Sequence, residues 1–241
     1  LKKAVGIIPV RYQSERFPGK PLALINGKPM IQRIYESAAK ATLLDQLIVA
    51  TDDKRISDVA KSFGADVRMT SLQHNSGTDR VAEVAKEIKT PIIINIQGDE
   101  PLLREEMIDD LVNALQDEAI PMATLAARVL DLNLLEDSNT IKVITDKDGY
   151  ALYFSRSPLP FKASDYFLQH IGIYGYQREF LVAFSQMEQT RLEKAEKLEQ
   201  LRALENGFRI KIIETPFLTI GVDSPQDIIK VEDYLKEHSY D

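Results

Sequence analysis

The chain has 241 residues, of which 44% are hydrophobic and 28% charged, a formal net charge of -7 and no cysteine. This composition supports a full core in one large domain, or a domain with a small annex. It excludes disulfides and thiolate metal sites, argues against a general nucleic-acid binder, which needs a basic face, and contains no apolar run of membrane-spanning length.

The opening Leu1-Lys2-Lys3 has no signal-peptide core, so a cytoplasmic protein is expected. Residues 4–8, Ala-Val-Gly-Ile-Ile, read as a buried strand. The loop over 9–21 follows, carrying Arg11, Arg16 and Lys20 with Gly19 before the lysine. A helix is expected from Pro29, which suits the first helical position. The loop thus joins a strand to a helix, and such loops hold ligands at the carboxyl edge of an open α/β sheet. Its cations suit a polyphosphate. It is not a Walker A loop, because Pro21 follows Lys20 and Ser14 stands where the first glycine belongs. No Gly-x-Gly-x-x-Gly fingerprint occurs.

Strands are then predicted at 46–50, 66–69 and 91–96, with helices at 53–63, at 78–88 and through Met107, Ile108, Leu111, Val112 and Leu115. Such alternation implies a largely parallel sheet covered on both faces. After Pro121 the pattern changes to strands at 123–129, 140–145, 151–154 and 171–176, with Asp148-Gly149 as a hairpin turn. Helices are predicted at 178–187 and 192–205, a strand at 209–214 and a closing helix at 225–237. The whole reads as a single α/β domain over 1–241 with an antiparallel annex at about 121–175.

Two carboxylates stand out. Asp99 follows the strand at 91–96 and offers hard oxygens to a cation such as Mg2+. Its ordinary role would be to shape a turn. In 221–227, Ser224 reads as a helix cap, Pro225 as the first helical residue and Asp227 as the third, which leaves Asp223 free. Ser76, Gly77 and Thr78 open a helix and offer hydroxyls and free N–H groups to a phosphate or base, although capping alone would explain them. Arg156 ends a strand and suits a carboxylate. His170 and Tyr174 share one strand face. The stripe Leu192, Ala195, Leu198, Leu201 would turn Glu199 and Gln200 toward water.

Together these stretches carry a resemblance. Residues 8–11 and 16–22 resemble the nucleotide-binding signature of the sugar nucleotidyltransferases. Within them, Ser76–Arg80 as Ser-Gly-Thr-Asp-Arg, 95–101 as Asn-Ile-Gln-Gly-Asp-Glu-Pro, 151–156, 170–176, 198–202 and 222–225 resemble the family of 3-deoxy-manno-octulosonate (Kdo) cytidylyltransferases, collinearly from about residue 4 to 235. The loop between Pro160 and His170 is shorter than in many members. The resemblance implies a Rossmann-like, mostly parallel mixed sheet of the glycosyltransferase-A-like type, with an antiparallel dimerisation annex. It implies transfer of CMP from CTP to the anomeric hydroxyl of Kdo for lipopolysaccharide synthesis, with Mg2+ and a homodimer. The 8-amino analogue of Kdo, or another sugar acid, remains the alternative acceptor. Carried over by position, Arg11, Arg16 and Lys20 would hold the triphosphate, with Lys20 also catalytic. Asp99 and Asp223 would hold Mg2+, and Gln97, Arg156, His170, Tyr174, Glu199 and Gln200 the sugar acid. A glycosyltransferase of similar build would more typically show an Asp-x-Asp pair, where this chain has Gln97 two residues before Asp99.

Overall fold

Strand β1 (Ala4–Val10) leads through a small hairpin, β2 (Leu24–Ile25) and β3 (Lys28–Pro29), into helix α1 (Met30–Ala38). Pro29 is the cap before that helix rather than its first residue, because its ψ of 137° is still extended. The hairpin turn is Asn26-Gly27, both at positive φ, which matches the twist of paired strands. There follow β4 (Gln46–Thr51), α2 (Lys54–Ser62), β5 (Asp66–Met69), α3 (Gly77–Lys86), β6 (Ile92–Asn95), α4 (Glu105–Ala114) and β7 (Met122–Val129). Then come β8 (Lys142–Thr145), β9 (Ala151–Ser155), β10 (Phe167–Gln177), α5 (Arg178–Phe184), α6 (Arg191–Glu196), α7 (Leu201–Glu205), β11 (Ile210–Thr215) and α8 (Pro225–Glu237). This computed structural model describes residues 1–14, 16–163 and 165–238. Glu15 in the basic loop and Ser164 in the loop before His170 lie outside the described residues, as do residues 239–241.

The main sheet runs β11-β7-β10-β6-β1-β4-β5, and β8 extends it by pairing with β10 and with β9. The pairs around β1 are parallel, and so is β7 with β11; β10 is antiparallel to both its neighbours, β6 and β7. β8 and β9 form the antiparallel hairpin expected around Asp148-Gly149, with Gly149 at φ +76°.

Alternation within single strands builds both cores. In β1, Ala4, Ile8 and Val10 pack toward α1, α2, α4 and α8, while Val5 and Ile7 pack toward α3, α5 and α7. In β6, Ile92 and Ile94 take the first face and Ile93 the second, all fully buried. Each buried isoleucine contributes about 2 kcal/mol, so a buried strand is apolar at successive positions.

This topology brings the chemistry to one edge. β1, β4, β6, β7 and β11 share a direction, so the loops that leave them open at the same rim. The segment after β11 is pinned there by Val222 N–H donating to Asp99 O at 2.9 Å.

Candidate active site

Gly19, at φ +75°, turns the basic loop back so that its N–H donates to Tyr12 O at 2.8 Å. Lys20 then points inward, with its side chain only 15% exposed. Its ammonium donates to Asp99 Oδ2 at 2.9 Å and to Val222 O at 2.8 Å, and lies 3.6 Å from Asp223 Oδ1. Arg16 Nη2 reaches the same Asp223 oxygen at 3.0 Å. Residues from three separate loops therefore converge on one point. Gly98 is required beneath it, since a Cβ there would lie 2.4 Å from Val10 Cγ1 and 3.0 Å from Pro9 O.

Beside this point is a cavity of about 260 Å³, whose lining includes Arg11, Arg16, Lys20, Ser76, Gly77 and Asp99. Ser76 caps α3 in a reciprocal box with Asp79, so its hydroxyl serves the helix, and Ser76 and Gly77 at that helix end line the cavity, a position that suits an anion. Arg80 and Asn75 also line the cavity. Arg80 is 3% exposed and is fixed by Asp52 at 2.7 Å and by Thr70 Oγ1.

A larger cleft of about 990 Å³ adjoins the first and shares Ser76, Gly77, Gln97 and Asp99 with it. Its walls include Arg156, Tyr174, Glu199, Gln200 and Glu100. Arg156 is aimed by backbone carbonyls, Nε donating to Glu196 O at 2.8 Å and Nη1 to Ser138 O at 2.9 Å. Gln97 Nε2 donates to Asn95 Oδ1 at 3.1 Å. Tyr174 is half-buried, and desolvation, with the nearby charges of Glu199 and Glu100, raises its phenol well above the ordinary value.

His170 stands apart. It is not among the residues that line the cleft. Its ring packs at 5.4 Å from Tyr174 and 5.1 Å from Phe154, with Nε2 3.0 Å from Thr124 Oγ1. The side chain is half-buried, and desolvation by the groups packed around it lowers its pKa to about 3 and favours the neutral imidazole. The shared face with Tyr174 survives a bulge between Ile171 and Tyr174, because register moves from Ala126 to Thr124 over four residues of β10.

The single helix expected at 192–205 is two helices. Lys197 adopts a left-handed φ of 55° and ends α6. Arg202 grips Glu193 bidentately at 2.8 and 2.5 Å, both buried, and so fixes the turn. Glu199 and Gln200 consequently point inward rather than to water. Glu199 accepts from Thr78 Oγ1, lies 3.5 Å from Arg202 Nη2, and has its pKa raised by burial against those two partners. Gln200 is 3% exposed, and its Nε2 has no hydrogen-bond partner among the described residues.

Glu100 escaped the reading of the sequence, although it adjoins Asp99. Burial, then the Asp99 charge, push its carboxyl up to about 8 against a hydrogen bond with Thr219, and Oε2 has no partner among the described residues.

A sequence profile of the cytidylyltransferase family matches residues 5–212. The 3-deoxy-manno-octulosonate cytidylyltransferase of Geobacter metallireducens (strain ATCC 53774 / DSM 7210 / GS-15) is 51% identical over 248 residues, covering 97% of this chain and 98% of that one. The protein of the same name from Syntrophotalea carbinolica (strain DSM 2380 / NBRC 103641 / GraBd1) is 49% identical over 243 residues, covering 95% and 97%. A solved CMP:2-keto-3-deoxy-manno-octonic acid synthetase complexed with CTP superposes with a TM-score of 0.92 at 41% identity, covering 98% of this chain and 99% of that one. A 4-diphosphocytidyl-2C-methyl-D-erythritol synthase from Anaerococcus prevotii DSM 20548, at 16% identity and a TM-score of 0.66 with 98% and 99% coverage, shares the fold alone.

Proposed function

This chain belongs to the cytidylyltransferase family, and from that premise we propose how its cleft transfers CMP from CTP to the anomeric hydroxyl of Kdo, releasing diphosphate. The observation that carries the reading is the position of Asp99 and Gln97, which line both the small basic cavity and the larger cleft. The α-phosphorus of CTP belongs at that junction, with the nucleotide on one side and the sugar acid on the other.

Arg11, Arg16 and Lys20 hold the triphosphate, and the start of α3 at Ser76, Gly77 and Thr78 receives the remainder of the nucleotide. In the larger cleft Arg156 takes the Kdo carboxylate, with a geometry that lysine does not reproduce. Gln97, Tyr174, Glu199 and Gln200 bind sugar hydroxyls, and His170 supports Tyr174 from behind. The sugar oxygen forms a bond to the α-phosphorus while the bridge to the β-phosphate breaks, and diphosphate leaves with the electron pair. Such transfer needs positioning and charge neutralisation more than covalent help. Lys20 and the arginines stabilise charge that grows on the phosphates.

Asp99 and Asp223 fit Mg2+. Their oxygens already gather around one cation, the Lys20 ammonium. Mg2+ takes one or two carboxylates and fills its shell with phosphate oxygens and water, so two aspartates from separate loops would suffice. When bound there, the ion supplies charge neutralisation at the phosphates and acidifies the sugar hydroxyl.

The working unit is a homodimer formed through the exposed part of the region 121–175; β7 and β10 lie inside the main sheet, so what projects from it is the β8–β9 hairpin with the loops beside it, rather than a separate annex. The apolar side chains available there for such a contact are Leu130 at 77% exposed, Leu152 at 58% and Phe161 at 86%.

The function is tested by diphosphate release from CTP in the presence of Mg2+. Release that requires both CTP and Kdo is expected. Equal release with a sugar 1-phosphate in place of Kdo, or none with Kdo, would overturn it.

A further inference from the structure

The hairpin of β8 and β9 contains a lysine that the reaction as described does not use. Lys142 is fully buried at 0% exposed. Its ammonium donates to three backbone carbonyls, Asp137 O at 3.0 Å, Thr140 O at 2.8 Å and Arg156 O at 2.5 Å. A buried ammonium is costly to desolvate, and burial lowers its pKa against the opposing charges of Asp137 and Glu136. A plain antiparallel hairpin has no need of such a group. Methionine or leucine would fill the space.

What Lys142 does hold is the frame of Arg156. Two of its acceptors flank Ser138, whose carbonyl accepts from Arg156 Nη1. Its third acceptor is the carbonyl of Arg156 itself, one residue beyond the Lys142–Ser155 pairing of β8 with β9. The opposite side is closed by Glu196, whose carboxylate accepts from Arg156 N–H at 2.9 Å and from Ser155 Oγ at 2.8 Å, and whose carbonyl accepts from Arg156 Nε. One ammonium thus ties together the 137–140 loop and the end of β9, the two places from which the guanidinium is aimed into the larger cleft.

We propose that Lys142 is a positioning residue for sugar-acid binding, acting by fixing the direction of the Arg156 guanidinium. This rests on the reading of Arg156 as the contact to the Kdo carboxylate. Arg156 touches the substrate and Lys142 does not.

The test is a double-mutant cycle on the full chain, with steady-state kinetics in which Kdo and CTP are varied in turn. Lys142→Met should raise KM for Kdo by about tenfold, the order expected when a substrate-positioning group is displaced by less than an ångström, and leave KM for CTP within about twofold. Coupled residues do not act additively, so Lys142→Met in an Arg156→Lys background should add less than about twofold. A silent Lys142→Met beside a damaging Arg156→Lys overturns this proposal alone, as does a full multiplication of the two effects or an equal rise in both KM values. A silent Arg156→Lys overturns the carboxylate reading and this proposal with it. Lys142→Gln keeps two N–H donors in the same space. It should fold if the methionine variant does not, and should show a smaller rise in the same KM with the same non-additivity. A Gln variant that multiplies with Arg156→Lys would equally refute the role.

Discussion

The Lys20 ammonium donates to Asp99 Oδ2 at 2.9 Å from a loop 79 residues away in sequence. The contact makes Lys20 and Asp99 a local ion pair at the junction of the two cavities, with Asp223 3.6 Å from the same ammonium. Removing either carboxylate charge leaves the shape of the junction but not its electrostatics. Asp99→Asn and Asp223→Asn should each lower kcat by at least about 10²-fold, the order for loss of one electrostatic catalytic element. Mg2+ titration of the residual activity in each variant checks this, and near-wild-type turnover at ordinary Mg2+ would remove that residue from the site.

Gly98 lets the Asp99 loop lie against β1. An added methyl group would meet the Pro9 carbonyl oxygen at 3.0 Å and Val10 Cγ1 at 2.4 Å. Val10 is 4% exposed and has nowhere to retreat. Gly98→Ala should therefore cost about 1–3 kcal/mol by overpacking, lowering Tm by roughly 2–4 °C per kcal/mol in a chain of this size. It should also weaken CTP binding, because Asp99 moves with the loop. Thermal melting with and without CTP reads both effects, and an unchanged apo Tm would show that the loop gives way freely.

His170 supplies a dependence on pH. Its folded pKa of about 3 lies below the ordinary 6.5 because burial disfavours the imidazolium. Between those values the unfolded chain binds the proton and the folded chain does not. Stability from this residue is therefore fully present above about pH 6.5 and is lost as pH falls toward 3, by up to about 1.4 kcal/mol per pH unit. The carboxylates titrate in any variant, so the difference is informative. Urea denaturation from pH 7 to 4 should show a shallower loss for His170→Asn than for the wild type. Parallel curves would show that His170, half-buried in the structure, is not desolvated enough to lower its pKa.

Much of this was readable because it is local. The alternation in β1 and β6 follows from two buried faces, and the Ser224–Asp227 box of α8 appears in the structure as spelled in the chain. The reading of 192–205 failed for an equally physical reason. The apolar spacing continues across the break at Lys197, yet Ala195 is exposed and Glu193 is 5% exposed. The buried Arg202–Glu193 pair, rather than the stripe, decides which way the segment faces. Lys142 was invisible because its partners are backbone carbonyls, which any residue supplies. The meeting of Asp223 with Asp99 depends on contacts between segments remote in sequence, the Val222 N–H to the Asp99 carbonyl and the Lys20 ammonium that reaches Asp99, Val222 O and Asp223.

The proposed dimer is tested by mass. Light scattering at assay concentration should give twice the 27.2 kDa chain mass. Phe161→Asp together with Leu152→Asp should reduce it to one chain, since charges placed in an apolar interface are costly to bury. A monomeric wild type would refute the assembly.

The central claim is that the anomeric oxygen of Kdo, held in the larger cleft, attacks the α-phosphorus of CTP held in the smaller one. It is tested most directly by running the reaction with Kdo labelled with heavy oxygen at the anomeric hydroxyl and following the phosphorus resonances. The account predicts the isotope shift on the phosphodiester phosphorus of the CMP-sugar and none on the released diphosphate. An unshifted product phosphorus, or label in the diphosphate, would contradict it.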